Sequence, residues 1–212
     1  MAETGAQASG PDIGRRDRLP LLLAVLAAFM LVPLCLAAGI ALLPELLRTY
    51  VLILPLPVLL AETFTIFSLL VLPLFCAGDR GAGNAGLLGV LRGSLCATVA
   101  MLLVVLARVA GPVSTGNLLL IWLLMAVVSS GAGAASAAWG ARGALLAIGL
   151  SCLPGLAGYF ARDVYPAAIL LMRLSPIAEI ARVAGGGGVG WACFLPGLGL
   201  ISAGFTVRSR RV

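Results

Sequence analysis

The chain has 212 residues, of which 61% are hydrophobic and only 10% are charged. A soluble domain averages about 45–50% apolar and about 25% charged residues, and at this length it still needs a large polar shell. The composition excludes an ordinary soluble enzyme and points to a polytopic membrane protein.

All 14 basic residues are Arg; the chain has no Lys and no His. Without His it lacks the commonest general base and the commonest transition-metal ligand. The net charge of +6 sits at the termini and in short loops, with no interleaved aromatics. It reads as membrane topology and not as a nucleic-acid surface. The five cysteines, Cys35, Cys76, Cys96, Cys152 and Cys193, form no CxxC pair and lie in apolar runs. They read as small hydrophobes, not as a metal or disulfide framework.

A spanning helix needs about 20 apolar residues. Residues 1–18 are polar and read as a cytoplasmic tail, not a secretory signal, because the apolar run behind them is too long. The first span runs from Leu19 to Leu43, with Pro20 at its start and a kink expected at Pro33. The second runs from Tyr50 to Ala77 and carries Glu62 in mid-run. A glycine-rich loop from Gly78 to Asn84 follows. The third covers Gly86 to Ala107. The fourth covers Asn117 to Ala138 and is small-residue-rich over Ser129 to Ala138. A turn is expected over Trp139 to Gly143, and the fifth span covers Ala144 to Phe160.

The pattern then changes. Pro166 to Leu174 and Pro176 to Ala184 are too short to cross a bilayer. They read as short helices that lie in the interface or dip in and return. Gly185 to Gly188 forms a hinge, Val189 to Val207 a last span, and 208–212 a basic tail. The fold class expected is an all-α polytopic bundle: one six-span membrane domain over 19–207, with two short outer helices. No internal repeat is evident.

With six spans both termini share a side. That side collects Arg15, Arg16, Arg18, Arg80, Arg92, Arg142, Arg208, Arg210 and Arg211. The other has Arg48, Arg108, Arg162, Arg173 and Arg182. The positive-inside rule puts both termini in the cytoplasm and the chain in the inner (cell) membrane.

Few residues carry chemistry. Glu62 is an intramembrane carboxylate, and such groups face protein or water. It reads either as a proton or cation site, or as a protonated acid bonded to Thr63, Thr65 or Ser68 beside it. The run Ser129 to Ser136 lets a neighbouring backbone come close, as internal packing or as a dimer or translocation face. No catalytic residues, metal ligands or cofactor emerge. A phosphate-binding G-x-x-x-x-G-K-[ST] loop needs the Lys this chain lacks, and a serine triad needs the absent His. Trp122, Trp139 and Trp191 fall near span ends as interface anchors.

The layout resembles the permease subunits of type-2 ABC exporters, among them the haem-exporter B subunits of cytochrome c maturation, which are similar in length. The matching stretches are Asp79-Arg80-Gly81, Leu87-Leu88 and Arg92-Gly93-Ser94 after span two. Ser175-Pro176 precedes the last span, and Arg142-Gly143-Ala144-Leu145-Leu146 follows the small-residue run. Ala77-Gly78 stands where that family carries an acidic residue, and Ala82-Gly83-Asn84 where Thr-Leu-Glu often follows. The resemblance implies a homodimeric permease with a separate ATPase chain. It implies coupling through Asp79, Arg80, Gly81, Leu87, Leu88 and Arg92, and an outer gate that includes Ser175, Pro176 and Glu179.

Two further readings stand beside it. One is a non-catalytic accessory subunit of a larger respiratory or photosynthetic membrane complex. The other is an ion-coupled carrier that uses Glu62. An intramembrane enzyme ranks last, for want of a nucleophile–base pair.

Overall fold

The computed structural model describes residues 18–41, 56–78, 84–107, 113–184, 187 and 190–209. The described residues form an all-α bundle. Its helices are α1 (Arg18–Ala41), α2 (Leu56–Leu70), α3 (Leu72–Ala77), α4 (Ala85–Leu106) and α5 (Thr115–Trp139). Then come α6 (Ala141–Ala161), α7 (Ile169–Met172), α8 (Pro176–Ala184) and α9 (Leu195–Ser209). Short 3-10 turns, Pro166–Ala168 and Trp191–Phe194, lead into α7 and α9.

Among the described residues, five helical segments are long and apolar enough to cross a membrane. They are Arg18–Gly39, Leu56–Ala77, Ala85–Leu106, Thr115–Trp139 and Ala141–Ala161. The expected sixth is shorter, an apolar segment over Trp191–Thr206.

Local chemistry sets the helix limits. Ser114 caps α5, its Oγ accepting from the Asn117 N–H at 3.1 Å. Pro73 has no N–H to give the Leu69 carbonyl, and the helix breaks at Val71 between α2 and α3. The turn expected over Trp139 to Gly143 shrinks to Gly140, whose φ of 62° reverses the chain in one residue. Arg142 and Gly143 therefore belong to α6, which is 21 residues long and exceeds the expected fifth span. Arg18 is likewise helical, the first described residue of α1. Arg208 and Ser209 fall within α9.

α5 is the centre. Ser129 through Ala137 are all buried, although a helix packed on one side leaves its opposite face exposed. Neighbouring backbones cover them from several sides. A methyl at Gly89 of α4 would overlap the Gly133 carbonyl, and one at Gly143 of α6 would overlap the Ala135 carbonyl. A methyl at Gly131 would come within 2.8 Å of the Gly197 carbonyl of α9. The contacts Gly89–Gly133 and Gly93–Ser129 make α4 and α5 antiparallel. Val127–Gly197 and Ala134–Gly204 make α9 parallel to α5. The small-residue run is thus internal packing.

The hydroxyls in this packing have partners. Ser129 Oγ donates to the Gly93 carbonyl at 2.9 Å, and Ser94 Oγ meets Ser130 Oγ at 2.9 Å. Ser136 Oγ donates to the Ala132 carbonyl one turn back, at 2.6 Å. α1 adds a more ordinary layer against α2. Leu22, Leu26 and Met30 are buried at helical spacing, and the Phe29 and Phe67 ring centroids lie 5.8 Å apart.

Replacing Gly89 by Val should cost about 1–3 kcal/mol, because the added carbons meet backbone that cannot rotate away. A methyl added at Gly199 of α9 would meet nothing within 4 Å. Gly199→Ala should be neutral, or stabilise by up to about 1 kcal/mol through helix propensity. Thermal unfolding of the detergent-purified variants checks both. Equal losses at the two sites would show that close approach to α5 does not set stability.

Candidate functional site

The short segments after α6 form a re-entrant hairpin. Met172 lies against Gly158, and Ser175 against Gly155. Ser175 Oγ donates to the Ser151 carbonyl at 2.9 Å. Ser151 is ten residues before the end of α6, about 15 Å along its axis. The chain has therefore turned back into the bundle by Ser175. Pro176 then starts α8, where a missing N–H costs nothing. α8 runs outward again until Asn117 Nδ2, near the start of α5, donates to the Val183 carbonyl at 2.8 Å. Of the two expectations, lying in the interface or dipping in, the geometry matches the second.

α8 carries the polar centre of this hairpin. Glu179, on α8, is 1% exposed. A bare carboxylate there would be very costly, so it needs donors. Arg182 supplies two: Nε donates to Oε2 at 3.0 Å, and Nη2 donates to Oε1. The backbone N–H of Gly190 also donates to Oε1. Arg182 is itself one-third exposed, so its charge keeps access to water while its fork reaches inward.

This clasp joins α8 to the first residue before the Trp191–Phe194 turn. It also explains the short sixth segment. The segment is pinned where Glu179 is, inside the end of the bundle, so it starts deeper than α5 does. Among the hairpin's partners, Asn117, Ser151, Arg182 and Gly190 carry weight that sequence reading missed. The i, i+3 spacing of Glu179 and Arg182 was a usable signal. Gly190, eleven residues on, gave none.

The same end carries an aromatic rim. Tyr159, Tyr165 and Trp191 are exposed there, and the Arg162 guanidinium lies 4.3 Å from the Tyr159 ring centroid. Arg162 also pairs with Asp163 at 3.5 Å.

The opposite end holds the residues expected to couple to an ATPase. Asp79, Arg80 and Gly81 lie outside the described residues. Leu87 is exposed and Leu88 half-buried, near the start of α4. Arg92 turns inward: its Nη1 donates to the Phe75 carbonyl at 3.4 Å, at the end of α3. Leu87 and Arg92 are thus on one helix, but Arg92 is engaged within the chain.

Glu62 belongs to neither end's cluster. Glu62 is the seventh of the 15 residues of α2, next to that helix's middle. It is half-buried, on a stripe with Leu59, Ile66 and Leu70. The neighbours expected to bond it do not. Thr63, Thr65 and Ser68 donate to the Leu59, Ala61 and Phe64 carbonyls at 2.7, 2.8 and 2.9 Å. Arg92 is also remote, since its partner Phe75 is about 20 Å further along the span.

Comparison with protein-family models, with curated proteins and with solved structures gives no match.

Glu179→Ala should destabilise by about 3 kcal/mol, because it leaves Arg182 and the Gly190 N–H without their acceptor. Cys193, fully buried just beyond the clasp, reports on it directly. With the other four cysteines replaced by Ala, Cys193 should resist a thiol reagent in the parent and react in the Glu179→Ala variant. Asp163→Ala, which breaks an exposed pair, should leave labelling unchanged. Equal labelling of Cys193 in the parent and in Glu179→Ala would rule out the clasp.

Proposed function

We propose that the chain is the membrane-spanning permease subunit of an ATP-driven exporter, working as a dimer with a separate ATPase chain. The observation that carries this reading is the asymmetry of the two ends. At one end a re-entrant hairpin is clasped by Glu179, which suits a gate. At the other, Leu87 stands exposed at the first turn of α4, six residues after Gly81 in the sequence, which suits docking of a partner. On this reading both termini are cytoplasmic in the inner membrane, and the hairpin faces outward. The dense packing of α5 leaves the path for a substrate between two copies.

A second reading has one observation in its favour. Buried hydroxyls in α5 bond within the protein, as expected of an accessory subunit that stabilises a larger membrane complex.

Gentle isolation from native membranes separates the two. The exporter reading expects an ATP-hydrolysing chain in stoichiometric amount, and its recovery should fall several-fold on Leu87→Asp. Co-migration only with a cofactor-bearing complex favours the accessory reading. Isolation as a lone chain overturns the exporter.

A further inference from the structure

We infer that the last helix, α9, is a coupling rod: the state of the Glu179 clasp at one end of the bundle is transmitted along it to the first turn of α4 at the other. Two contacts define the ends of the rod. At its lead-in the Gly190 N–H donates to Glu179. A methyl at Gly190 would lie 3.6 Å from the Arg173 Cβ, so the hairpin holds this residue from two sides. At the far end, a methyl at Gly86 of α4 would come within 3.0 Å of the Gly204 carbonyl and 3.9 Å of the Phe205 ring. Leu87 is the next residue, and the Leu88 N–H closes that turn on the Asn84 carbonyl at 2.9 Å. Gly190 and Gly204 are about 20 Å apart along the rod.

Between these ends little can absorb a displacement. The buried positions that follow Cys193 are Phe194, Gly197, Leu200 and Gly204. A methyl at Gly197 would come within 2.8 Å of the Val127 carbonyl, and one at Gly204 within 3.1 Å of the Ala134 carbonyl. A long side chain can change rotamer and give way; glycine seated on backbone has no rotamer to change. Pro196 lies in the first turn, where it does not break the helix. Ser202 Oγ donates within α9, to the Leu198 carbonyl at 3.0 Å. A shift at Gly190 therefore moves α9 as a unit along α5, by shear. The backbone in its way at the far end is that of Gly86.

The clasp supplies the two states. Closed, the Gly190 N–H is on Glu179; open, Glu179 keeps Arg182 and the lead-in of α9 is released. Coupling between two sites is reciprocal. Packing at Gly86 thus biases the clasp by as much as the clasp biases the first turn of α4. On the exporter reading, this turn is where Leu87 meets the ATPase chain. The inference itself concerns the bundle alone and is tested without a partner, so it can fail while that reading stands.

The purified full-length chain is tested in both directions. With Cys193 as its single cysteine, Gly86→Ala should raise the rate of thiol labelling at Cys193 about fivefold, the lower range for linked sites. Gly39→Ala, on α1, adds the same methyl where nothing lies within 4 Å and should leave labelling unchanged. In the other direction, Glu179→Gln should speed hydrogen exchange at the Leu88 to Val90 amides by a similar factor. The Leu23 to Leu26 amides of α1 should keep the parent rate. Gly86→Ala carries the test if Glu179→Gln does not fold. Unchanged Cys193 labelling in Gly86→Ala overturns the proposal. So does an equal gain in Gly39→Ala, or exchange that quickens equally in α1, since either makes the effect a general loosening of the bundle.

Discussion

The bundle depends on how close helix backbones can come to α5. Among helices surrounded by apolar solvent, burying more Leu gives little, because the lipid tail is as apolar as the side chain. What remains is contact density, and that is highest where side chains are absent. Over Ser129 to Ala137 no side chain is larger than that of serine. Gly89 and Gly93 of α4, Gly143 of α6, and Gly197 and Gly204 of α9 all meet this stretch or its immediate flank. Each contact is glycine against backbone or a small side chain. The serines at the same place then face carbonyls of a second helix as well as their own, as Ser129 does with Gly93 and Met125. α5 is thus an axis on which three neighbours are fixed, and the bundle's middle is mostly backbone. Any route for a substrate must avoid that middle, which is why the exporter proposal assigns it to the space between copies.

The second constraint follows from the first. Once α5, α6 and α9 are fixed, the chain from Ala161 to Gly190 must fill the wedge left between their ends. It does so with two short helices whose polar groups are bonded at each turn: Ser175 to Ser151, Asn117 to Val183, Glu179 to Arg182 and Gly190. Non-helical backbone at depth is tolerated only where protein surrounds it and its polar groups are bonded. Glu179 serves that rule for the start of the last helix. A carboxylate offers several acceptor sites, so one residue answers both an arginine fork and a backbone N–H. Gln there would offer a single acceptor oxygen.

Much of this is legible in the sequence, for a definite reason. Hydropathy integrates over about 20 residues, so span existence survives local error. Five long segments appear within a few residues of expectation, and α8 falls on the expected Pro176 to Ala184. What escapes are features set by single residues or by rotation about a helix axis. The turn at Gly140 needs one positive φ, where the composition suggests a loop of five residues. The bond from Arg92 to the Phe75 carbonyl joins α4 to α3 and is not marked in the sequence, since composition carries no rotational phase. The Glu179–Gly190 bond joins a side chain to a backbone group across a glycine-rich stretch. No residue type at position 190 announces an N–H donor.

The charges show the same logic at three levels of solution. Glu179 is neutralised inside the chain by a partner three residues away. Arg18 and Arg92 sit towards the ends of helices, where a long side chain reaches polar groups from an apolar stem. Glu62 has neither arrangement. Among the described residues it forms no ion pair and no hydrogen bond. Its three hydroxyl neighbours have spent their protons on carbonyls, and its own stripe is Leu59, Ile66 and Leu70. An ionised carboxylate on such a stripe loses hydration without gaining a donor, which is the costliest of the options. A bare charge there calls for a donor from beyond the described residues, which makes the α2 stripe, and not the packed middle of α5, a part of the bundle sensitive to what lies next to it.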